Sequence, residues 1–323
     1  VTALCAAGAE KYMHRTEEED VRAVMKFVIP KKTEQEIRLL AVDRTKEEAE
    51  LPAVFDYRKE GRASGVRDQS LFETCWAFAS LSALETALLP QESLDFSRDH
   101  LSYHNSFDME PDEGGSYIMS VAYLTAWQGP VLEEDDPYGD HISPEGLEAV
   151  KHVQEVRMPA DKDYQAIKQT VYLHGGVESS LYVDFSDPRE KSEYFNRENY
   201  SYCYEGAEQP NHDVVIIGWD DDYPADNFNT GAPGNGAFIC QNSWGTAFGD
   251  GGVFYVSYYD TNIGKYNVAF IGVEPADNYD VLYQSDLCGW CGQVGYNSDK
   301  AAFANVYTAT GEQQIRAFGF YAT

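Results

Sequence analysis

The chain has 323 residues, of which 43 % are hydrophobic and 14 % aromatic, enough for two domains and a sizeable core, so global disorder is set aside. With 54 Asp and Glu against 24 Lys and Arg the formal net charge is −30, which sets aside nucleic-acid binding, a task for clustered cations, and reads as solubility and mutual repulsion. No apolar run reaches the roughly eighteen residues of a membrane-spanning helix, and no Asp-x-Asp-x-Asn-Gly-type loop suggests calcium. Six cysteines, Cys5, Cys75, Cys203, Cys240, Cys288 and Cys291, do not form a dense disulfide framework. Cys288 and Cys291 make a lone Cys-x-x-Cys without the two further ligands that a zinc site needs, leaving a local disulfide or two free thiols.

In chain order, Val1 to Ala9 are small and apolar, and Ala7-Gly8-Ala9 fits a signal-peptidase site. Residues 1–9 read as a signal-peptide remnant, with an ordinary frayed terminus as the other reading. Residues 10–50 are highly charged. Glu17-Glu18-Glu19-Asp20 opens one helical stretch, Thr33-Glu34-Gln35-Glu36 caps another, and Pro30 separates them. That segment is too polar for a core of its own, and Leu51-Pro52 marks a boundary. A helix is expected from Cys75 to Leu89, with Trp76, Ala79, Ala83, Leu84 and Ala87 on one face and Pro90 as its stop. Residues 116–127 give a second helix closed by Gly129-Pro130, and Tyr164 to Leu173 a third, followed by Gly175-Gly176. The character then changes. Val214 to Gly218, Ala237 to Cys240 and Val253 to Tyr258 read as strands, with Tyr223 to Asn235 as an inserted loop. After about Glu274 a further strand-rich stretch is expected, including Ala302 to Thr308 and Ile315 to Tyr321. Helices followed by strands predict an α+β protein in two halves.

The chemistry gathers around one cysteine. Cys75 opens its helix, where unpaired N–H groups and the positive dipole end favour a thiolate; a lone cysteine is otherwise a buried small hydrophobe. Gln69, six residues upstream, can fold its amide back toward a carbonyl under attack, and the Cys75 N–H supplies a second donor, a pair that makes an oxyanion hole. His212 enters the branched strand that begins at Val214. Asn242, in Asn242-Ser243-Trp244-Gly245, offers its carbonyl to the second ring N–H of His212 and so fixes the ring, with Trp244 as a shield from water.

These blocks resemble the papain family of cysteine peptidases. The matches are Gln69…Cys75-Trp76-Ala77-Phe78, Gly114-Gly115, Asn211-His212 and Asn242-Ser243-Trp244-Gly245, in the family's order over about residues 51–272. His212 lies 137 residues after Cys75, within the separation of about 130–150 expected between nucleophile and base there. Within the family the chain is most similar to bacterial surface peptidases with a lectin-like domain after the protease. The residues that carry this are Tyr123-Leu124-Thr125-Ala126-Trp127-Gln128-Gly129-Pro130, Gly218-Trp219-Asp220-Asp221 and Ala304-Asn305-Val306-Tyr307-Thr308-Ala309. Three features depart from papain's pattern: Ser70-Leu71-Phe72-Glu73 replaces Gly-x-Cys-Gly, the interval from His212 to Asn242 is longer, and residues 10–50 lack the Glu-Arg-Phe-Asn helix pattern.

The resemblance implies a papain-like two-lobed α+β fold, a helical lobe plus a β-rich lobe, followed by the start of a β-rich lectin-like domain. It implies a pro-segment at 10–50, with a stabilising surface strap as the other reading, a peptidase domain at 51–274 and an incomplete lectin-like domain at 275–323. The implied catalytic set is Gln69, Cys75, His212 and Asn242. The implied substrate-binding set is Gly114, Gly115, Ser116, Tyr117, Asp213 and Trp244, although the glycine pair also suits a plain turn. Asp213 either faces the pocket for the second substrate residue before the cut, favouring Lys or Arg, or caps a loop or meets solvent. No cofactor and no metal are implied. The expected protein is a bacterial secreted or cell-surface monomer acting on protein or peptide substrates, with a cell-wall or glycan ligand for its C-terminal region. Transglutaminase-type acyl transfer is a rival, but those enzymes generally orient the histidine with Asp rather than Asn. A non-catalytic adhesin or glycan-binding protein is the other, and the intact four-residue set argues against it.

Overall fold

The computed structural model describes residues 49–140, 142–185, 191–290 and 305–320. The stretch 1–9, all but the last two residues of 10–50, and Cys5 and Cys291 lie outside these. After β1 (Val54–Asp56) and the single turn α1 (Tyr57–Glu60), the helical half comprises α2 (Cys75–Leu88), α3 (Arg98–His104) and α4 (Tyr117–Thr125). The second half carries β2 (Lys151–Arg157), α5 (Tyr164–Leu173), β3 (Val177–Leu181), β4 (Phe195–Asn196), β5 (Ser201–Tyr202), β6 (His212–Asp220), β7 (Ala237–Gln241), β8 (Val253–Ser257) and β9 (Lys265–Pro275). The described strands form one sheet in the order β2-β9-β3-β6-β7-β8-β5-β4, with β1 paired to β6. β5 and β8 run parallel, whereas β6 is antiparallel to β1, β3 and β7. The expected two-lobed α+β fold is the one observed.

α2 organises the molecule. Its run of Ala, Leu, Phe and Ser holds no Gly or Pro, and every residue from Cys75 to Thr86 is buried rather than a single face. A helix buried all round lies between layers, and α2 packs on β3, β6 and β9 as well as on α3 and α4. It ends at Leu88 because Leu89 precedes Pro90 and is driven to extended backbone, with ψ 145°. Arg98 is 1 % exposed and is tolerated there by its 2.7 Å ion pair with Glu85 of α2.

The strands extend beyond the branched cores that signalled them. β6 runs to His212 and Asp220 because partners on both sides continue the hydrogen-bond ladder. β3, Val-Glu-Ser-Ser-Leu, is buried throughout yet has neither alternation nor branched residues in its middle, so the sequence did not announce it. β2, β9 and α3 were likewise unannounced. The loop after β6 is present and packed, with Tyr223, Phe228 and Ala232 forming a small core with Cys203. One expectation fails. In the tail, residues 305–308 and 315–320 are not in strands, and Val306, Ile315, Phe318 and Phe320 are exposed. A strand needs a partner for its N–H and C=O groups, so branched and aromatic residues alone leave the backbone merely extended. Among the described residues no helix is long and apolar enough to cross a membrane.

Candidate active site

Cys75 is the first residue of α2. The carbonyl of Thr74 accepts the N–H groups of Ala77 (2.9 Å) and Phe78 (3.2 Å), while the N–H groups of Cys75 and Trp76, in the first turn, have no intrahelical acceptor. Tyr138 donates its hydroxyl to the Gln69 carbonyl (3.0 Å), so the 2.7 Å contact between its oxygen and Thr74 is donated by Thr74. The Gln69 stretch is stitched to the far half of the molecule. The Gln69 N–H donates to the Ser243 carbonyl (2.7 Å), the Gly245 N–H donates to the Arg67 carbonyl (2.9 Å), and Asp68 bridges Trp244. The Gln69 side chain is fixed at both ends: Oε1 accepts the Ser243 hydroxyl (2.6 Å) and Nε2 donates to the Phe72 carbonyl (2.7 Å). That bond uses one of two amide hydrogens, which leaves the other for a ligand.

His212 opens β6, and its Nε2 lies 2.8 Å from Asn242 Oδ1. The same oxygen accepts the backbone N–H of Ser243 at 2.8 Å, which identifies it as the acceptor. Nε2 therefore carries the proton, and in the neutral ring Nδ1 holds the lone pair. The Trp244 indole covers the imidazole at 4.7 Å between centroids, and Phe185 and Phe248 meet Trp244 edge-on. Helix and strand meet at the sulfur, since the backbone N–H groups of Asp213 and Trp76 hydrogen-bond to Cys75.

Burial works against the thiolate that the helix terminus favours. Burial pushes the Cys75 thiol up, the Asp213 carboxylate adds to the rise, and the two N–H groups only partly oppose it. Burial also pushes His212 down to about 4, against the hydrogen bond that it donates to Asn242. Lost hydration thus works against charge on either group, while the partial positive charge at the start of α2 works for a thiolate.

Gly115 lies against Trp76: a Cβ there would meet the indole at 2.3 Å. Gly114 has φ 83° and ψ −160°, a backbone that side-chain-bearing residues rarely adopt. The pair thus lays bare backbone beside the residue that follows Cys75. Ser116 caps α4 by position, without a side-chain bond, and Tyr117 stacks on Tyr266 at 6.2 Å. Asp213 is half-buried, accepts the Ser180 hydroxyl, and is raised by burial to about 6. It neither caps a loop nor stands free in solvent. Sequence reasoning gave no role to Ser243, Tyr138, Ser180 or Glu178. Ser243 was legible beside Asn242, whereas the others carry no local signal. Among the described residues no group of three or more His, Cys, Asp or Glu side chains is placed to hold a metal.

A thiol on the first turn of a central helix, hydrogen-bonded by the backbone N–H next to an imidazole that an amide orients, is the architecture of papain-like cysteine proteases. The family model described as papain family cysteine protease matches residues 51–271, and one described as lectin like domain matches residues 282–323. The chain belongs to the papain family of cysteine proteases. It is 30 % identical over 245 residues to cathepsin K of Gallus gallus, covering 73 % of this chain and 67 % of that one. It is 27 % identical over 236 residues to a cysteine protease of Blomia tropicalis, covering 67 % of this chain and 64 % of that protein. Among solved structures, the cysteine protease and lectin-like domains of Cwp84, a surface layer associated protein of Clostridium difficile, superpose with a TM-score of 0.67 at 28 % identity, covering 75 % of this chain and 56 % of that one. The clostridial cysteine protease Cwp84 after propeptide cleavage gives a TM-score of 0.63 at 28 % identity, covering 69 % of this chain and 58 % of that one. The chain thus spans less than two thirds of the mite protease and of both clostridial chains.

Proposed function

We propose that this protein is a cysteine endopeptidase in which Cys75 is the nucleophile, His212 the general base and acid, Asn242 the group that orients the imidazole, and Gln69 an oxyanion donor. The observation that carries this reading is the Asn242 oxygen, which takes both the Ser243 N–H and His212 Nε2 and so turns the Nδ1 lone pair into a base. Cys75 gives its proton to Nδ1 as its sulfur bonds to the scissile carbonyl carbon. The carbonyl oxygen becomes an oxyanion held by the free Gln69 Nε2–H and the Cys75 N–H. Collapse breaks the C–N bond, and the proton on Nδ1 leaves with the amine. Water then attacks the thioester, giving a proton to Nδ1 that returns to the sulfur as the acid departs. The Gly114-Gly115 backbone holds an extended substrate, with Ser116, Tyr117, Asp213 and Trp244 around it. The chemistry requires no cofactor.

The lectin-like match after residue 281 and the surface-layer association of Cwp84 support a bacterial secreted or surface peptidase acting on surface or extracellular proteins. On that reading 51–274 is the catalytic domain of a monomer, 275–323 belongs to a module for a cell-wall or glycan ligand, and 10–50 is a pro-segment that lowers activity until removed. Labelling the protein with an epoxide inhibitor of cysteine peptidases tests the catalytic reading: one adduct on Cys75 and loss of peptide-library turnover are expected. Turnover that survives a complete adduct at Cys75 would overturn it. Chains with and without residues 10–50 should differ in initial rate, and equal rates with the segment intact would refute inhibition.

A further inference from the structure

Glu178 has no part in the chemistry above, yet it lies beside it. On β3 and β6, Glu178 is opposite Val215 and Ser180 is opposite Asp213. Cross-strand partners share a face and alternate residues repeat it, so Glu178, Ser180 and Asp213 lie on one face of the sheet. That face is turned to α2, because the Ser80 hydroxyl donates to Glu178 Oε2. Glu178 is 0 % exposed and its Oε1 has no hydrogen-bond partner. Asp213 reaches the nucleophile through its backbone N–H, which hydrogen-bonds to Cys75, and the charges of both acids bear on Cys75 and on Tyr117, two residues after Gly115. The nearby cations are engaged elsewhere. Lys265, opposite Ser180, donates to Asn262 Oδ1 (2.9 Å), and Arg67, beside Asp213, is paired with Asp95.

A fully buried carboxyl with an unpartnered oxygen is destabilising on its own, since its lost hydration is unreplaced. A ligand that brings a positive charge and N–H donors would replace it. Substrate held along Gly114-Gly115 and attacked at Cys75 puts one side chain between Tyr117 and Asp213. Glu178 lies two residues along β3 from Ser180, about 7 Å deeper, a span that suits the long stem of arginine or lysine, whose methylenes can lie on the Tyr117 ring. We infer that Glu178 and Asp213 together form the floor of a pocket for a basic side chain at the second substrate residue before the cut, with Glu178 Oε1 as its innermost acceptor. The inference rests on the peptidase reading. Burial raises both carboxyls, and the Asp213 charge raises Glu178 further, so the pair holds a proton at rest that an arriving cation displaces to solvent.

Matched peptides with arginine, citrulline or leucine at that position test it by kcat/KM. Arginine should exceed citrulline, its neutral isostere, by roughly ten- to a hundredfold, the range for a charge-assisted hydrogen bond. The ratio should fall at least tenfold in Glu178→Gln. It should grow as pH rises through about 6, where Asp213 sheds its proton. No arginine preference over citrulline in the native enzyme, which needs no variant to fold, would overturn the inference. So would a preference that Glu178→Gln retains in full. Cys75-dependent hydrolysis without that preference sinks this inference alone. No Cys75-dependent hydrolysis of any of the peptides would sink the peptidase reading and this inference with it.

Discussion

Behind His212, the Asn242 oxygen takes two donors and the Gln69 amide is held at both ends; at Glu178, on the strand paired to β6, a buried oxygen takes none. Both regions are built from the same sheet and lie within reach of one sulfur. Partners hold geometry, and geometry is what a base and an oxyanion donor must keep between turnovers. An unsatisfied buried acid holds no geometry but stores an interaction that a ligand can complete. On the proposed reading, the first region does the chemistry and the second selects the substrate.

The largest expected effect attacks the first region. Cys75→Ala should lower kcat by about 10⁶-fold, as nucleophile loss does in other hydrolytic triads, while circular dichroism shows the fold intact. Undiminished hydrolysis by the purified variant would place the nucleophile elsewhere. Next, Gln69→Ala should reduce kcat by about 10²–10³ with a smaller change in KM, since one oxyanion donor is gone; an unchanged kcat would mean that the Ser70–Thr74 loop supplies a different donor.

The pH profile sharpens the comparison further. Protonated His212 cannot take the Cys75 proton, and burial holds its pKa near 4. Thus kcat/KM for a leucine peptide should stay level down to about pH 4 and then fall roughly tenfold per unit. An acid limb near 6.5 would show the imidazole to be hydrated rather than buried.

Smaller effects follow. Ser243→Ala removes the hydroxyl that orients the Gln69 amide, a neutral hydrogen bond of about 0.5–1.5 kcal/mol, so kcat should drop roughly two- to tenfold. A loss as large as that of Gln69→Ala would mean the amide has no other anchor. At the second region the measurement is stability. Glu178 is raised above its unfolded value, so the folded chain keeps a proton that the unfolded chain releases above about pH 4.3. Stability from that proton is complete at low pH and is lost as pH rises. Glu178→Gln keeps a neutral group there, so its melting temperature relative to the native protein should increase between pH 5 and 8. A constant difference would show that Glu178 titrates normally.

What the sequence by itself determined is local. Cys75 heads a Gly-free run that follows Thr74 and is stopped by Pro90, Trp76 and Gln69 lie within six residues of it, and Asn242-Ser243-Trp244-Gly245 is a contiguous block of its own. β6, β7 and β8 were legible because branched and aromatic residues cluster between Gly, Asp and Asn. Only the tertiary structure decided the rest. β3 hides Glu, Ser and Ser in a buried strand, a choice that no periodicity encodes, because burial there is imposed by β6, β9 and α2 on residues far apart in the chain. The desolvation that opposes charge on Cys75 and His212 was not legible in sequence for the same reason. A helix terminus can be read from a dozen residues, but the loss of water around a thiol depends on everything packed over it. The tail shows the converse: its apolar residues promised strands, and without a partner ladder residues 305–308 and 315–320 form none.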